Sequence, residues 1–367
     1  MILRDPVHGL IAFDGMAERV VRSLLDTREV QRLRRVRQLG LASLVFPGAE
    51  HTRFSHAVGT AHVMQARLHR IDACSDELPQ DQRLDEEARA DALAAALVHD
   101  LGHGPFSHLF EEVLPHAKHH EQWTEDILLD DSTEVHQTLE SISAGMSKRV
   151  AGLLSGDYRL GYLSQSVSGT LDVDRADYLL RDSHMTGVRY GLYDLDWLLH
   201  ALAFACVEGR WVLAVQGRKG LPPVESFFLG RHFMYQQVYH HKATRAADAL
   251  VRAIFMRVSE LILEGTPPDP LLPAFRAAAL GESISVEEYL RMDDAELLTC
   301  LSAWEHGGDP TLASFSKRLR NRQLPKTVPL PDLRPDLWNE SLERTREIVR
   351  AHGMRTDLTV WLDKAED

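Results

Sequence analysis

Cysteine is scarce in this chain: Cys74, Cys206 and Cys300 are odd in number and widely spaced, a pattern that argues against a disulfide framework and a thiolate zinc site. Long apolar runs are missing too, and no stretch approaches the roughly 20 residues a membrane-spanning helix needs. The opening MILRDPVHGL has none of the basic, apolar and small-residue regions of a secretory signal. A reducing cytoplasm is the expected compartment, with no membrane attachment. Internal repeats, heptad arrays and low-complexity tracts are absent. Positive charge is in deficit: 41 Lys and Arg stand against 54 Asp and Glu, a formal −13, which opposes extended contact with nucleic acid. Basic residues concentrate only in EVQRLRRVRQLG, where Arg32, Arg34, Arg35 and Arg37 are followed by Arg53. A small anionic ligand suits that pattern better than a long polyanion.

What is present is mostly helical in period. With 367 residues and 44% hydrophobic content the chain can bury a substantial core. Val20, Leu24 and Leu25, then Val30, Leu33, Val36 and Leu39, fall at helical spacings and predict two helices, the second capped by Asp26 and Thr27. Further helices are expected over HAVGTAHVMQARLHRI, EEARADALAAALVHDLG, SKRVAGLLS, RADYLLRD, DLDWLLHALAFACV and the long RHFMYQQVYHHKATRAADALVRAIFMRVSELILEG. Extended structure is expected only in RWVLAVQGRKGLPPV and at the start of the chain. The fold class is therefore mainly α, an all-helical bundle with a small β-hairpin insertion and a C-terminal helical appendage. EGTPPDPLLP marks a break, separating a core over 1–265 from a segment over 266–367.

Three stretches carry candidate metal ligands: HTRFSH ending at His56, HDLGHGPFSH beginning at His99, and LDVDRADYLLRD with Asp174 near its start. Two imidazoles and two carboxylates, Asp100 and Asp174, form a mixed nitrogen and oxygen set suited to Mg²⁺ or a first-row divalent metal. His99 and His103 are four residues apart on one predicted helical face, and Gly102, Gly104 and Pro105 end that helix beside the site. HDLGH differs from the HExxH of zinc proteases in having Asp for Glu and a glycine inside the turn. Standing alone, His99 would read as a satisfied core histidine; the unusual contexts of His56, Asp174 and Arg53 argue otherwise.

In order, DPVHG at Asp5, QRLRRVRQLG, VFPGAEHTRFSH, HDLGHGPFSH, HHEQ, DVDRADYLLRD and YHHK ending at Lys242 resemble the HD-domain phosphohydrolases. Specifically, they resemble the deoxynucleoside triphosphate triphosphohydrolases related to the animal SAM-and-HD-domain enzyme, without the SAM domain. The resemblance implies one divalent metal, Fe, Mn, Co, Ni, Zn or Mg, on His56, His99, Asp100 and Asp174, with a second Mg²⁺ on the triphosphate. It implies hydrolysis of dNTP at the α-phosphorus to deoxynucleoside and triphosphate. His103, His108 and His120 match the family's phosphate and proton-handling histidines, and Glu111 stands where the family has aspartate. Arg53, Arg175 (for the family's lysine), Tyr178 and Arg231 match phosphate contacts. Gln38 and Asp182 match contacts to the sugar 3′-hydroxyl, and Tyr239 the ring that leaves no room for a 2′-hydroxyl. From spacing alone, Arg231, Tyr235, Tyr239 and Lys242 would make one helical stripe.

The resemblance extends to regulation. Asp26, Gln31 and Arg34 coincide with residues that read guanine nucleotide between subunits in the animal enzyme, and Val45, Phe46, Lys219, His241 and Lys242 coincide with a neighbouring dNTP effector site. Trp197 and Gln237 replace that site's arginines. The expectation is a homo-oligomer, dimer or tetramer, with at least a partial site for a GTP or dNTP effector. Another HD phosphohydrolase, a nucleotide monophosphatase or phosphodiesterase, would share the metal ligands without needing Arg53 and Arg231. A non-catalytic nucleotide sensor is disfavoured by the intact ligand set.

Overall fold

The computed structural model describes residues 1–106, 111–112, 116–330 and 335–363. Helices dominate them, and the strands make two separate two-stranded antiparallel hairpins. The mainly helical class expected from periodicity is what the chain adopts. The chain forms two compact units, one of residues 1–40, 46–104 and 119–234, the other of 41–45, 105–118 and 235–367.

Three helices organise the first unit: Arg53–Ala73, Glu86–Val98 and Val173–Thr186. The middle one is buried from Asp91 through Val98, because its alanine-rich sequence lets neighbours approach on every side. Asp85 caps it by accepting from the Ala88 amide at 2.8 Å, with Glu86 and Glu87 in the favourable first turn. Its one interior carboxylate, Asp91, is paired with Arg149 at 2.7 Å and accepts from the Tyr158 hydroxyl at 2.8 Å, so a buried charge is compensated rather than stranded.

The first hairpin pairs Ile2–Asp5 with Gly9–Ala12. The second pairs Leu202–Val207 with Arg210–Val215 across Glu208 and Gly209, both at positive φ, the geometry of a two-residue hairpin turn. LAFACV was expected to continue a helix; that helix ends at His200 and the segment becomes a strand. Its Phe, Cys and Val side chains fit a sheet face, and tertiary pairing overrides the weaker helical period. Conversely GRKGLPPV, expected as extended, opens the helix Gly217–Met234. Pro222 and Pro223 remove two amide donors there, but Pro223, Phe227, Gly230 and Met234 bury one face at helical spacing.

The basic segment also departs from expectation. Its helix stops at Arg32 and tightens to a 3₁₀ turn over Leu33–Arg35. The chain turns extended at Val36, Arg37 bridges Thr52 antiparallel, and the Gln38 amide donates to the His51 carbonyl at 3.0 Å. Thr27 sits at the N-cap but its hydroxyl donates to Leu24 O, and Asp26 closes the preceding helix instead.

The second unit is built around Lys242–Leu263, packed by Pro273–Leu280 and Pro310–Arg320. The expected continuous helix through Tyr235 is interrupted. Tyr235–Tyr239 forms a π turn, and His241 starts a new helix by accepting from the Ala243 amide at 3.2 Å. A π turn adds a residue to the hydrogen-bonded ring and rotates the chain beyond it, so Arg231, Tyr235, Tyr239 and Lys242 do not make one α-helical stripe. Among the described residues no helix is long and apolar enough to cross a membrane.

Candidate metal centre

The first turn of Arg53–Ala73, the end of Glu86–Val98 and the first turn of Val173–Thr186 deliver His56, His99 and Asp174 to one place. Their ligand atoms all lie within 4.8 Å of one another. His56 Nε2 is 3.2 Å from His99 Nε2 and 2.9 Å from Asp174 Oδ1. Asp100 stands alongside, 3.4 Å from His99 Nε2 and 3.8 Å from His56 Nε2.

Hydrogen bonding on the far side of each ring decides what these nitrogens offer. His56 Nδ1 is 2.8 Å from Asp177 Oδ2, and His99 Nδ1 is 3.0 Å from Ala96 O. Both partners only accept, so each Nδ1 carries the proton and each Nε2 presents a lone pair. Two imidazole nitrogens facing each other, with carboxylates beside them, call for a cation between them, a metal ion or a proton. The donor set thus fits a divalent metal of the oxygen and imidazole class. Without one, burial opposes protonation of His56, but Asp174 and Asp177 outweigh it and push the ring up to about 10. Asp100 is held well below the usual carboxylate range; burial opposes this, and His99, Arg53 and His103 overcome it.

The helix carrying His99 ends at Val98, one turn earlier than expected, because Gly102 allows a close approach. A Cβ there would lie 2.0 Å from His120 O and 2.5 Å from the Thr124 amide. The Gly102 amide donates to the Thr124 hydroxyl at 2.9 Å, clipping the helix His120–Leu129 against this turn. His103 therefore lies in a second turn rather than on the helical face of His99. Its Nε2 lies 3.2 Å from Asp100 Oδ1, and its ring stacks on His120 at 3.9 Å. Burial, then Arg53, drives His103 well below its ordinary value against the pull of Asp100.

Arg53 donates to Asp100 Oδ2 at 2.6 Å, and its buried Nε has no hydrogen-bond partner among the described residues. Tyr178 sits 6.5 Å from the His56 ring. Arg175 folds onto Asp172 and donates to Gly169 O at 2.8 Å. With Ser168, Gly169, Thr170, Phe228 and Arg231 it lines a cavity of about 380 Å³. Asp182 bonds to His51 at 2.7 Å, while Gln38 Oε1 and His51 Nδ1 are buried without partners among the described residues.

The structure also places the other described residues singled out in the sequence. Arg32 is buried and donates to the His103 and Leu101 carbonyls at 2.9 and 3.3 Å. Arg37 pairs with Glu50 at 2.8 Å. Asp26 is exposed, Gln31 donates to Leu25 O, and Arg34 binds Gln31 and lies over the Phe54 ring. Phe46 is half-buried, and Lys219 O accepts from Trp197 Nε1. Glu111, Val45, Tyr239, His241 and Lys242 belong to the second unit. His108 lies outside the described residues. Sequence reading gave no role to Asp177, Arg181, His8 or His51, although Asp177 follows Asp174 by three residues and DPVHG was visible.

A mainly helical protein with a paired imidazole and carboxylate centre at converging helix ends is of the metal-binding HD class. The HD-domain family model matches residues 53–182, which span the first and last of these elements. The uncharacterized protein YwfO of Bacillus subtilis is 36% identical over 323 residues, covering 88% of this chain and 70% of that protein. The chain belongs to the HD-domain phosphohydrolase family. Human deoxynucleoside triphosphate triphosphohydrolase SAMHD1 is 26% identical over 71% of this chain, and its Dictyostelium discoideum homolog 29% over 89%. The chain spans 45% and 60% of those two proteins. A crystal structure of a phosphohydrolase from Bacteroides thetaiotaomicron superposes with a TM-score of 0.79 at 28% identity, covering 98% of this chain and 86% of that one.

Asp174→Ala removes a carboxylate from between two imidazoles, and elemental analysis of the purified variant is expected to show most of the divalent metal lost while the circular dichroism spectrum is unchanged. Gly102→Ala forces backbone against backbone and is expected to destabilise the protein by about 1–3 kcal/mol, read by urea unfolding.

Proposed function

We propose that this protein is a metal-dependent dNTP triphosphohydrolase that cleaves at the α-phosphorus, yielding deoxynucleoside and triphosphate. The observation that carries the reading is the pairing of the His56, His99, Asp100 and Asp174 centre with cations suited to phosphate: Arg53 beside it, and Arg175 and Arg231 lining one cavity of the same unit. A monophosphatase would have no use for the additional arginines. The resemblance to the SAMHD1 enzymes supports the same substrate.

A bound divalent metal supplies Lewis acidity to the α-phosphate and favours attack by water there. The chain's own residues do the rest. Arg53 holds Asp100 in its liganding orientation and offers its Nε toward phosphate oxygen. The N-termini of Arg53–Ala73 and Val173–Thr186 add positive partial charge at an anion site. His103 is occupied with Asp100 and positions it, whereas His120, stacked on His103 and less buried, is the better placed donor to the leaving 5′-oxygen. Glu111 and His108 are assigned to proton handling from the family pattern. Gln38 and Asp182 would take the 3′-hydroxyl, with Tyr178 on the phosphates and Tyr239 excluding ribose.

Function is assigned to residues 1–265 as the catalytic core, and 266–367 is proposed as an appendage. We further propose a homo-oligomer with a guanine-nucleotide or dNTP effector site drawing on Asp26, Gln31, Arg34, Phe46, Lys219, His241 and Lys242, in a protein that works in the cytoplasm.

Incubation with each dNTP and Mn²⁺ or Mg²⁺, with products separated by chromatography, is expected to release triphosphate and deoxynucleoside in equal amounts; orthophosphate as the sole phosphate product would assign a monophosphatase instead. Tyr239→Ala is expected to narrow the kcat/KM gap between dNTP and rNTP. Rate against dNTP concentration is expected to be sigmoidal and to rise with GTP; a hyperbolic curve indifferent to GTP removes the effector site.

A further inference from the structure

The DPVHG stretch at the start of the chain takes no part in the proposed reaction, yet its side chains reach the interior. Asp5 and His8 flank the turn of the N-terminal hairpin. One Asp5 oxygen accepts from the Val7 and His8 amides, both at 2.9 Å, fixing the turn. Its other oxygen accepts from Arg181 at 2.7 Å. His8 Nε2 lies 2.6 Å from Asp177 Oδ1.

Asp177 is the centre of this arrangement. Its Oδ1 accepts from His8 and from Arg181 at 2.9 Å, and its Oδ2 from Arg181 and from His56 Nδ1, each at 2.8 Å. Four donors surround a carboxylate whose side chain is 0% exposed, and Arg181 is also 0% exposed. Gly59 makes the room: a Cβ at that position would stand 2.0 Å from Asp177 Oδ1 and 2.2 Å from Arg181 Nη2. The helix that supplies His56 thus carries a glycine where this carboxylate and guanidinium press against it.

We propose that the Asp5–His8 turn is an outer brace of the metal centre: His8 and Arg181 together lock Asp177 so that it fixes the ring plane and proton position of His56. An imidazole ligand binds metal through one nitrogen only if the other is held as a donor, and the partner holding it sets the ring's orientation and basicity. With His8 present, each Asp177 oxygen takes one imidazole donor in addition to its share of the Arg181 fork. Without His8, Oδ1 loses one of two donors and only the Arg181 fork is left to oppose rotation of the carboxylate away from His56. His8 touches no ligand atom of the centre, so it acts as a positioning residue.

The inference rests on the metal reading of the centre, and its deciding measurement, Mn²⁺ affinity, needs no nucleotide. Metal-free protein is titrated with Mn²⁺ against a chelator, and kcat and KM are measured at saturating Mn²⁺. His8→Ala is expected to weaken Mn²⁺ binding about 10–100-fold and to lower kcat with KM little changed, and His8→Gln, which restores a donor, to recover most of both. Mn²⁺ affinity of His8→Ala equal to that of the unaltered protein overturns the brace, even if its thermal stability falls. Should His8→Ala not fold, nitrogen NMR of the unaltered Zn²⁺-loaded protein decides: the proton is expected on Nε2 of His8 and Nδ1 of His56, and the opposite tautomer at either overturns the proposal. Weakened Mn²⁺ binding with no dNTP hydrolysis in the unaltered protein would sink the proposed substrate and leave the brace standing. An unaltered protein that takes up neither Mn²⁺ nor Zn²⁺ overturns both.

Discussion

The pair of imidazole nitrogens 3.2 Å apart at His56 and His99 organises the first unit around it. Each ring directs its Nδ1 proton to an acceptor, so the facing atoms repel unless a cation separates them. Holding such a pair together requires rigid surroundings. Helix ends supply these: the rings stand at the start of one helix and the end of another, and Asp174 at the start of a third. Buried side chains tie those ends down, Arg32 on the Leu101 and His103 carbonyls, Thr124 on the Gly102 amide, and Asp177 on His56.

Burying this much charge is costly, since an uncompensated ion in a protein interior loses several kcal/mol of hydration. Asp177, Arg181 and Asp5 avoid that penalty by pairing among themselves. Replacing such a network with apolar packing is often neutral or favourable for stability. Its presence here is better explained by the orientation it imposes on one imidazole than by the strength it adds to the fold.

The helical class was legible because apolar period is a local rule, and the cluster of His56, His99 and Asp174 because its donor chemistry stands out in three short stretches. What escaped depended on distant partners. LAFACV reads as helix until RWVLAV is brought beside it. The basic segment reads as one helix through Gln38, but pairing of Arg37 with Thr52 makes its end extended. Arg32 reads in sequence only as one of a cluster of basic residues and is a structural strut, because nothing local reveals that two carbonyls of the turn after His99 will face it. His8 and Asp177 are 169 positions apart, and no spacing rule connects them.

That separation has a consequence for the order in which the molecule is assembled. The hairpin bearing His8 leaves the ribosome well before the helix that bears Asp177, which emerges 169 residues later. At roughly 5–20 residues per second, the N-terminal turn waits on the order of ten seconds or more for the carboxylate it grips. Throughout that interval Asp5 can complete its own turn, but His56 and His99 have already emerged with neither Asp174 nor Asp177. A metal captured then would meet two histidines and Asp100 with their outer support unbuilt. The centre therefore reaches its final form only after the third helix has emerged, when Asp177 can join the N-terminal hairpin to the ring of His56.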